Sequence, residues 1–316
     1  MTVMSIRDAI NATLMAEMER DDSIILLGED IVGGMGTAGG PEAIGGIWGA
    51  TGGLWAKFGA DRVIDTPISE SAIVGAAAGA ALAGKRPVAE LMFADFVGVS
   101  LDQLWNQMAK FRYMFGGKTR CPAVIRLIYG AGMNAAAQHS QSVYAMMTAI
   151  PGLKIVLPAT PADAKGLLTE ALRGDDPVLF FEHKAMFGMK GDVPDGDYRV
   201  PFGQARLTRE GGDVTIVTCG RMVGFAEKAA DKLAADGIGC DVIDLRTTSR
   251  PVSSTLSKIA SSSIGLVVRR SITSQPMPSA ASLSAAFSAN PTIRPQVTIV
   301  TSPPSRVSRA WPNGTR

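Results

Sequence analysis

Arg62-Val-Ile-Asp-Thr-Pro-Ile-Ser-Glu70-Ser-Ala-Ile-Val-Gly-Ala-Ala-Ala-Gly-Ala-Ala-Leu-Ala-Gly84-Lys-Arg-Pro-Val-Ala-Glu-Leu-Met92 reads as strand, turn, helix, strand. Val63 and Ile64 suit a short buried strand, and Pro67 makes the turn that ends it. Ser69 is placed to cap a helix, which puts Glu70 in its first turn, and the Ala-rich run to Gly84 favours that helix over 69–84. Apolar residues from Pro87 to Met92 then give a second strand. The same alternation extends outward. Ile6, Ile10, Leu14 and Met18 share a helical face, and Ser23-Ile-Ile-Leu-Leu-Gly28 is a buried strand. Further strands are expected at 123–128, 154–157 and 177–181, with helices over 98–114, 140–149 and 161–173. Alternation of this kind predicts an α/β domain, a parallel sheet covered by helices on both faces.

From Phe187 to Gly203 the chain is rich in Gly, Asp and Pro without periodicity, so the expected division is a domain over 1–186, a linker over 187–203 and a smaller α/β domain over 204–316. Strands at 214–218 and 240–244, with a helix from about 223 to 235, begin the second domain. Between Arg250 and Arg316 there is no Asp or Glu, and Ser, Pro and Arg are frequent. This abrupt change suggests a shifted reading frame from residue 250.

Length and composition restrict function. The chain has 316 residues, 46% of them hydrophobic, enough for about two domains with large cores. Thirty-one basic against 29 acidic side chains give no global pull toward nucleic acid or membrane surfaces. Three dispersed cysteines exclude a fully paired disulfide framework and any CxxC site. The amino terminus lacks a secretory pattern, and the longest apolar stretch, Ala72 to Gly84, is too short to span a bilayer. A cytoplasmic protein is expected.

Several motifs fail. Gly79-Ala-Ala-Leu-Ala-Gly84-Lys85 approaches a phosphate loop, but Arg86 stands where Ser or Thr would hold magnesium. Gly33-Gly-Met-Gly-Thr-Ala-Gly-Gly40 lacks the spacing of a dinucleotide fingerprint. With two histidines in the chain, a His-rich metal site has no basis. What survives lies at the carboxyl ends of predicted parallel strands, where α/β folds place chemistry. These are Asp65-Thr-Pro-Ile-Ser-Glu70, Phe93-Ala-Asp-Phe96, and the small-residue loop from Tyr129 to His139. Taken singly, each has a bland reading as well: a helix-dipole partner, a core aromatic and a structural hydrogen-bond donor.

Together with Gly28-Glu-Asp30, Phe111-Arg-Tyr-Met-Phe-Gly-Gly117, Ala137-Gln-His-Ser-Gln141, Pro151-Gly-Leu-Lys154, Asp163-Ala-Lys-Gly166 and Asp244-Leu-Arg-Thr-Thr248, these segments resemble the β subunit of thiamine-diphosphate-dependent 2-oxo acid dehydrogenases, from about Ser5 to Ser249. Phe111 to Lys118, Ile125 to Gly132 and Phe181-Glu-His-Lys184 look most like the acetoin dehydrogenase β subunit, with the pyruvate dehydrogenase β subunit next. The resemblance implies a transketolase-like pyrimidine-binding domain followed by a transketolase-like carboxyl-terminal domain. It also implies a cytoplasmic E1 oxidoreductase that cleaves acetoin, or decarboxylates pyruvate, and passes the acetyl group to lipoamide.

Carried over by resemblance, Glu70 is the carboxylate that hydrogen-bonds the cofactor's pyrimidine nitrogen and drives its imino tautomer, with Glu29 beside it. Phe96 is the aromatic packed on that ring, and His139 the histidine that moves protons at the thiazolium side. The chain has no Gly-Asp-Gly to Asn-Asn motif for the diphosphate and Mg2+, which the family places on an α subunit. The implied assembly is a heterotetramer of two α and two β chains docked on a lipoyl-bearing E2 acyltransferase. Carbonyls corresponding to Ala123, Ala171, Leu172, Gly174 and Asp176 hold a structural potassium ion (K+) in some relatives.

The resemblance breaks at Arg250-Pro-Val-Ser-Ser, and Leu266-Val-Val-Arg-Arg-Ser271 carries bases where the family has acids. Two other readings therefore stay open. One is a noncatalytic assembly subunit with a damaged carboxyl terminus. The other is a transketolase-type or deoxyxylulose-phosphate-synthase-type enzyme, for which the chain is short.

Overall fold

A computed structural model of the chain describes residues 1–33 and 45–248, together with the backbone of strands at 266–269 and 299–300. The glycine-rich run from 34 onward and most of the tail after 248, including the reading-frame expectation, lie outside the described residues. The first part runs β1 (Thr2–Ser5), α1 (Ile6–Arg20), β2 (Ile24–Glu29), α2 (Leu54–Phe58), β3 (Val63–Thr66), α3 (Glu70–Leu82), β4 (Arg86–Leu91), α4 (Phe111–Met114), β5 (Val124–Tyr129), α5 (Tyr144–Met147), β6 (Lys154–Val156), α6 (Pro161–Arg173), β7 (Val178–His183) and β8 (Lys190–Val193). The second runs β9 (Arg206–Arg209), β10 (Val214–Thr218), α7 (Met222–Ala235), β11 (Cys240–Asp244), β12 (Thr247–Thr248), β13 (Leu266–Arg269) and β14 (Ile299–Val300).

β2 to β7 form one parallel sheet in the order β3-β2-β4-β5-β7-β6, and β12 adds antiparallel beside β6. Each side chain along β5 is buried, as expected for a central strand covered on both faces. Alternate residues feed two cores. One takes Ile10, Leu14, Leu168 and Phe180 under α1 and α6; the other takes Val74, Ala77, Leu127 and Phe181 under α3. The α1 register follows its capping: Ser5 Oγ accepts from Asp8 N, which leaves Ile6, Ile10, Leu14 and Met18 facing inward. The strand-turn-helix-strand expectation for 62–92 is met within a residue or two at each end.

The two long helices expected over 98–114 and 140–149 are broken. In the first, a 3-10 turn at Ala94–Gly98, a π turn at Gln103–Met108 and α4 replace a continuous helix, and Ala109 N bonds Leu104 O five residues back. The wide turn keeps Leu104 and Met108 buried while Trp105 faces outward. In the second, Gln141 N is taken by Asp95 Oδ1 and Gln141 O by Gly130 N, so neither joins a helix ladder and α5 starts only at Tyr144.

The stretch expected as a linker contains β8, which pairs antiparallel with β1. Residues 198–200 lie on α6 across Gly166, whose missing Cβ would sit 2.6 Å from Val200 Cγ2. The second unit is a mixed sheet in the order β14-β13-β10-β11-β9 with α7 packed on it. A charge cluster ties it to the first: Arg206 and Arg246 both reach the buried Asp163 of α6, and Arg206 also reaches the buried Asp244. Burial first, then the Asp163 charge, pushes Asp244 up to about 7. The described cysteines are free, and burial pushes Cys121 and Cys219 up to about 12, leaving them as thiols. Among the described residues no helix is long and apolar enough to cross a membrane.

Candidate functional site

The carboxyl ends of neighbouring strands β3, β2, β4, β5 and β7 carry, in spatial order, the turn to Glu70, Glu29, the Phe93–Phe96 segment, the loop to His139, and His183-Lys184. A parallel sheet delivers these ends to one edge because every strand points the same way.

Glu70 opens α3, 8% exposed, and accepts no hydrogen bond from the described residues. Glu29 lies at the end of β2, where burial and then the charges of Asp30, Glu70 and Asp65 hold its carboxyl above the usual range. Asp65 is engaged differently, accepting from Ile31 N at 2.8 Å and Val32 N at 3.4 Å, which anchors the chain leaving β2. Gly28 must lack a Cβ, which would stand 2.8 Å from Glu90 O on the adjacent strand.

The aromatic group gathers on the next two strand ends. Phe96 meets the His139 ring edge-on, centroids 5.5 Å apart, and Phe93 packs on it at 4.3 Å. Trp48 stands against Phe93 at 5.7 Å. The His139 Nδ1 lies 3.0 Å from Ala135 O, an atom that can only accept, so Nδ1 carries a proton and Nε2 is the nitrogen left to exchange one. Lys184, 4% exposed, donates to the His139 carbonyl and lies 4.7 Å over the Phe93 ring. Burial lowers its ammonium pKa, and the Asp95 charge opposes that shift. Ser71 Oγ donates to Val99 O at 2.6 Å, tying the start of α3 to the segment carrying Phe96. Beside this group a cleft of about 400 Å³ is lined by Trp48, Met133, Lys184 and Phe187, among others.

Phe96 and His139 are therefore brought into contact, and Glu29 and Glu70 are electrostatically joined. Lys184 and Trp48 were not legible as site residues. Lys184 carried a signal, a charged residue soon after the apolar run 178–181 of a parallel strand, whereas Trp48 follows a glycine-rich segment with none. His183 belongs to the scaffold: its ring fills the space a Cβ on Gly130 would need, and burial lowers it to about 4.

Residues 2–190 match the family described as transketolase, pyrimidine binding domain, and residues 203–284 match transketolase, C-terminal domain. The chain is 58% identical over 246 residues to the acetoin:2,6-dichlorophenolindophenol oxidoreductase subunit beta of Cupriavidus necator, covering 78% of this chain and 72% of that one. It belongs to the β subunits of thiamine-diphosphate-dependent 2-oxo acid dehydrogenases. Two Bacillus subtilis relatives in this β-subunit family are the 2-oxoisovalerate dehydrogenase subunit beta, at 49% over 248 residues (78% and 73% covered), and the pyruvate dehydrogenase E1 component subunit beta, at 41% over 250 residues (79% and 74%). A solved split-gene transketolase, an inactive beta4 tetramer, matches this β subunit with a TM-score of 0.60 and 25% identity, covering 77% of this chain and 71% of that one.

Proposed function

We propose that this β subunit supplies the pyrimidine side of an active site that cleaves acetoin and passes the acetyl group to lipoamide. The observation that carries the reading is Glu70: a buried carboxylate at a helix start, accepting nothing from the described residues and set beside Glu29. A carboxylate on a mostly buried side chain, with no donor among the described residues, is open to an external one, and a protonated ring nitrogen is such a donor. The residues present thus fit thiamine diphosphate at its pyrimidine end.

When bound, thiamine diphosphate supplies the carbon nucleophile that breaks the substrate's carbon–carbon bond. Glu70 holds the proton at the pyrimidine nitrogen, and a charge-assisted bond in a water-poor site is strong enough to set that proton's position. Glu29, its carboxyl raised above the usual range by burial and then by neighbouring charge, stands beside Glu70 at the same strand edge. Phe96 holds the pyrimidine ring by packing, worth about 0.5–1.5 kcal/mol beyond burial. His139, its Nδ1 tied to Ala135 O, takes and returns a proton on the substrate's oxygen through Nε2.

The diphosphate and its Mg2+ would be held by an α subunit in a heterotetramer, on which the lipoyl-bearing acyltransferase docks. The outward-facing Tyr113, Met114 and Phe115, together with Ile68 and Trp105, offer apolar surface for such subunit contacts. At the carbonyls of the potassium carry-over a side-chain cation is already close. Arg86 Nη1 donates to Leu172 O at 3.1 Å and Gly174 O at 2.6 Å, so a guanidinium already supplies the positive charge there. The Ala123 and Ala171 carbonyls accept from Val178 N and Gly174 N. The Asp176 carboxylate is held by Arg112 and Lys154.

The test is turnover of the complex reconstituted with an α subunit, assayed with acetoin, pyruvate and branched 2-oxo acids. Glu70→Gln is expected to lower kcat by about 10²–10⁴-fold while the fold persists. Wild-type turnover in that variant refutes the reading, and a preference for pyruvate or a branched acid corrects the substrate.

A further inference from the structure

We propose that Lys184 and Asp95 form a charged clamp that sets the position of His139, which makes Lys184 a positioning residue for the proton chemistry of that histidine. The inference rests on the role given to His139 above. Three strand ends grip the segment 139–141. From β7, the Lys184 ammonium donates to His139 O. Past β4, Asp95 Oδ1 accepts from Gln141 N at 3.1 Å. Past β5, Gly130 N donates to Gln141 O at 3.0 Å. The two charged members also attract each other through space, and Asp95 Oδ2 is buried with no hydrogen-bond partner of its own.

The segment needs the grip. Asn134 and Ala136, just before it, hold φ at 52° and 59°; asparagine takes such a φ readily, but Ala136, with ψ at 179°, holds a backbone that a residue with a Cβ adopts only when its surroundings impose it. The His139 ring is fixed at the same time. Its Nδ1 is tied to Ala135 O within this strained turn, and Phe93, on which the ring packs, lies beneath the Lys184 ammonium. A methylene chain of the same length would fill the space of Lys184 without the desolvation of a charge. Besides its charge over the Phe93 ring, the ammonium adds the donor to the His139 carbonyl and the attraction to Asp95. Losing either lets the turn relax and moves Nε2 relative to the substrate, and a displacement near 1 Å at a reacting group lowers rate about 100-fold.

The test uses the reconstituted complex with Lys184→Met, Lys184→Arg, Asp95→Asn, His139→Gln and the double variant Lys184→Met/His139→Gln. Lys184→Met is expected to lower kcat roughly 10- to 100-fold. Affinity for thiamine diphosphate with Mg2+, titrated by fluorescence quenching, stays within about twofold of wild type, because the pyrimidine contacts are elsewhere. Lys184→Arg, which keeps a charged donor, recovers part of the rate; Asp95→Asn, which keeps an acceptor for Gln141 N but no charge, loses an intermediate amount. The double variant is no slower than His139→Gln alone, as for residues acting as one unit. In the cofactor-free complex, amide hydrogen exchange of 134–141 accelerates in Lys184→Met and is restored in Lys184→Arg.

Wild-type kcat in Lys184→Met, multiplying losses in the double variant, or cofactor affinity falling in step with kcat would each overturn the clamp. If Lys184→Met does not assemble, Asp95→Asn and Lys184→Arg decide alone, and wild-type kcat and exchange in Asp95→Asn overturn it. A wild-type kcat in His139→Gln overturns both the clamp and the role given to His139. A crippled His139→Gln beside a normal Lys184→Met overturns the clamp only.

Discussion

Removing one guanidinium from the sheet tests how the site is held. Arg126 on β5 is fully buried, with Glu90 of β4 on one side and Glu182 of β7 on the other. It binds Glu182 through a two-point fork, Nε to Oε1 at 2.6 Å and Nη2 to Oε2 at 2.7 Å, and its Nη1 donates to Glu90. Burial pushes Glu182 above the usual carboxylate range, and the Arg126 charge opposes that shift. Arg126→Met leaves two carboxylates in an apolar layer without a counter-charge, a change that costs about 3–5 kcal/mol. Against a total stability of about 5–15 kcal/mol this is a large fraction, and at about 2–4 °C per kcal/mol it lowers Tm by roughly 6–20 °C.

The loss should depend on pH in a definite sense. Without Arg126 nothing opposes the burial that raises Glu182 above its unfolded value, so the variant is least destabilised at acid pH and loses stability as pH rises. Denaturant unfolding at several pH values measures this, and Glu90→Gln/Arg126→Met/Glu182→Gln, which has no charge to neutralise, should show little of the pH dependence. The functional consequence follows because β4, β5 and β7 carry Asp95, the His139 loop and Lys184. An Arg126→Met protein with wild-type midpoint at neutral pH, or a loss of stability that ignores pH, refutes the reasoning.

Three further outcomes are expected. Asp244, raised to about 7 from 3.8, stabilises the junction fully below 3.8 and loses that contribution as pH rises through 7, so Asp244→Asn should flatten the decline of Tm across that interval. His183, lowered to about 4 from 6.5, contributes stability that is complete above 6.5 and lost as pH falls through 4; His183→Gln should weaken the acid limb of the unfolding profile. Gly166→Val pushes a side chain into Val200 and Tyr198, which should destabilise by about 1–3 kcal/mol in denaturant and open residues 195–203 to protease.

Local rules determined a good deal of this protein. Short apolar runs alternating with helical spacing place β2 to β7, α1, α3 and α6, because a strand buried on both faces has little choice but to be apolar; Ser69 marks the start of α3 by position, although its Oγ donates to Pro67 O and does not cap the helix. Ordered motifs along the chain identify the family and nominate Glu29, Glu70, Phe96 and His139. Tertiary structure alone decided what has no local period. β8 pairs with β1 across nearly the whole first unit, and its partner's sequence distance hides it. The helix expected over 140–149 yields to partners from other strand ends, since the Gln141 carbonyl, which would serve the first helical turn, accepts from Gly130 N. Lys184 and Trp48 reach the His139 group for the same reason: parallel strands far apart in sequence end side by side, and only that juxtaposition makes a charge and a ring into neighbours.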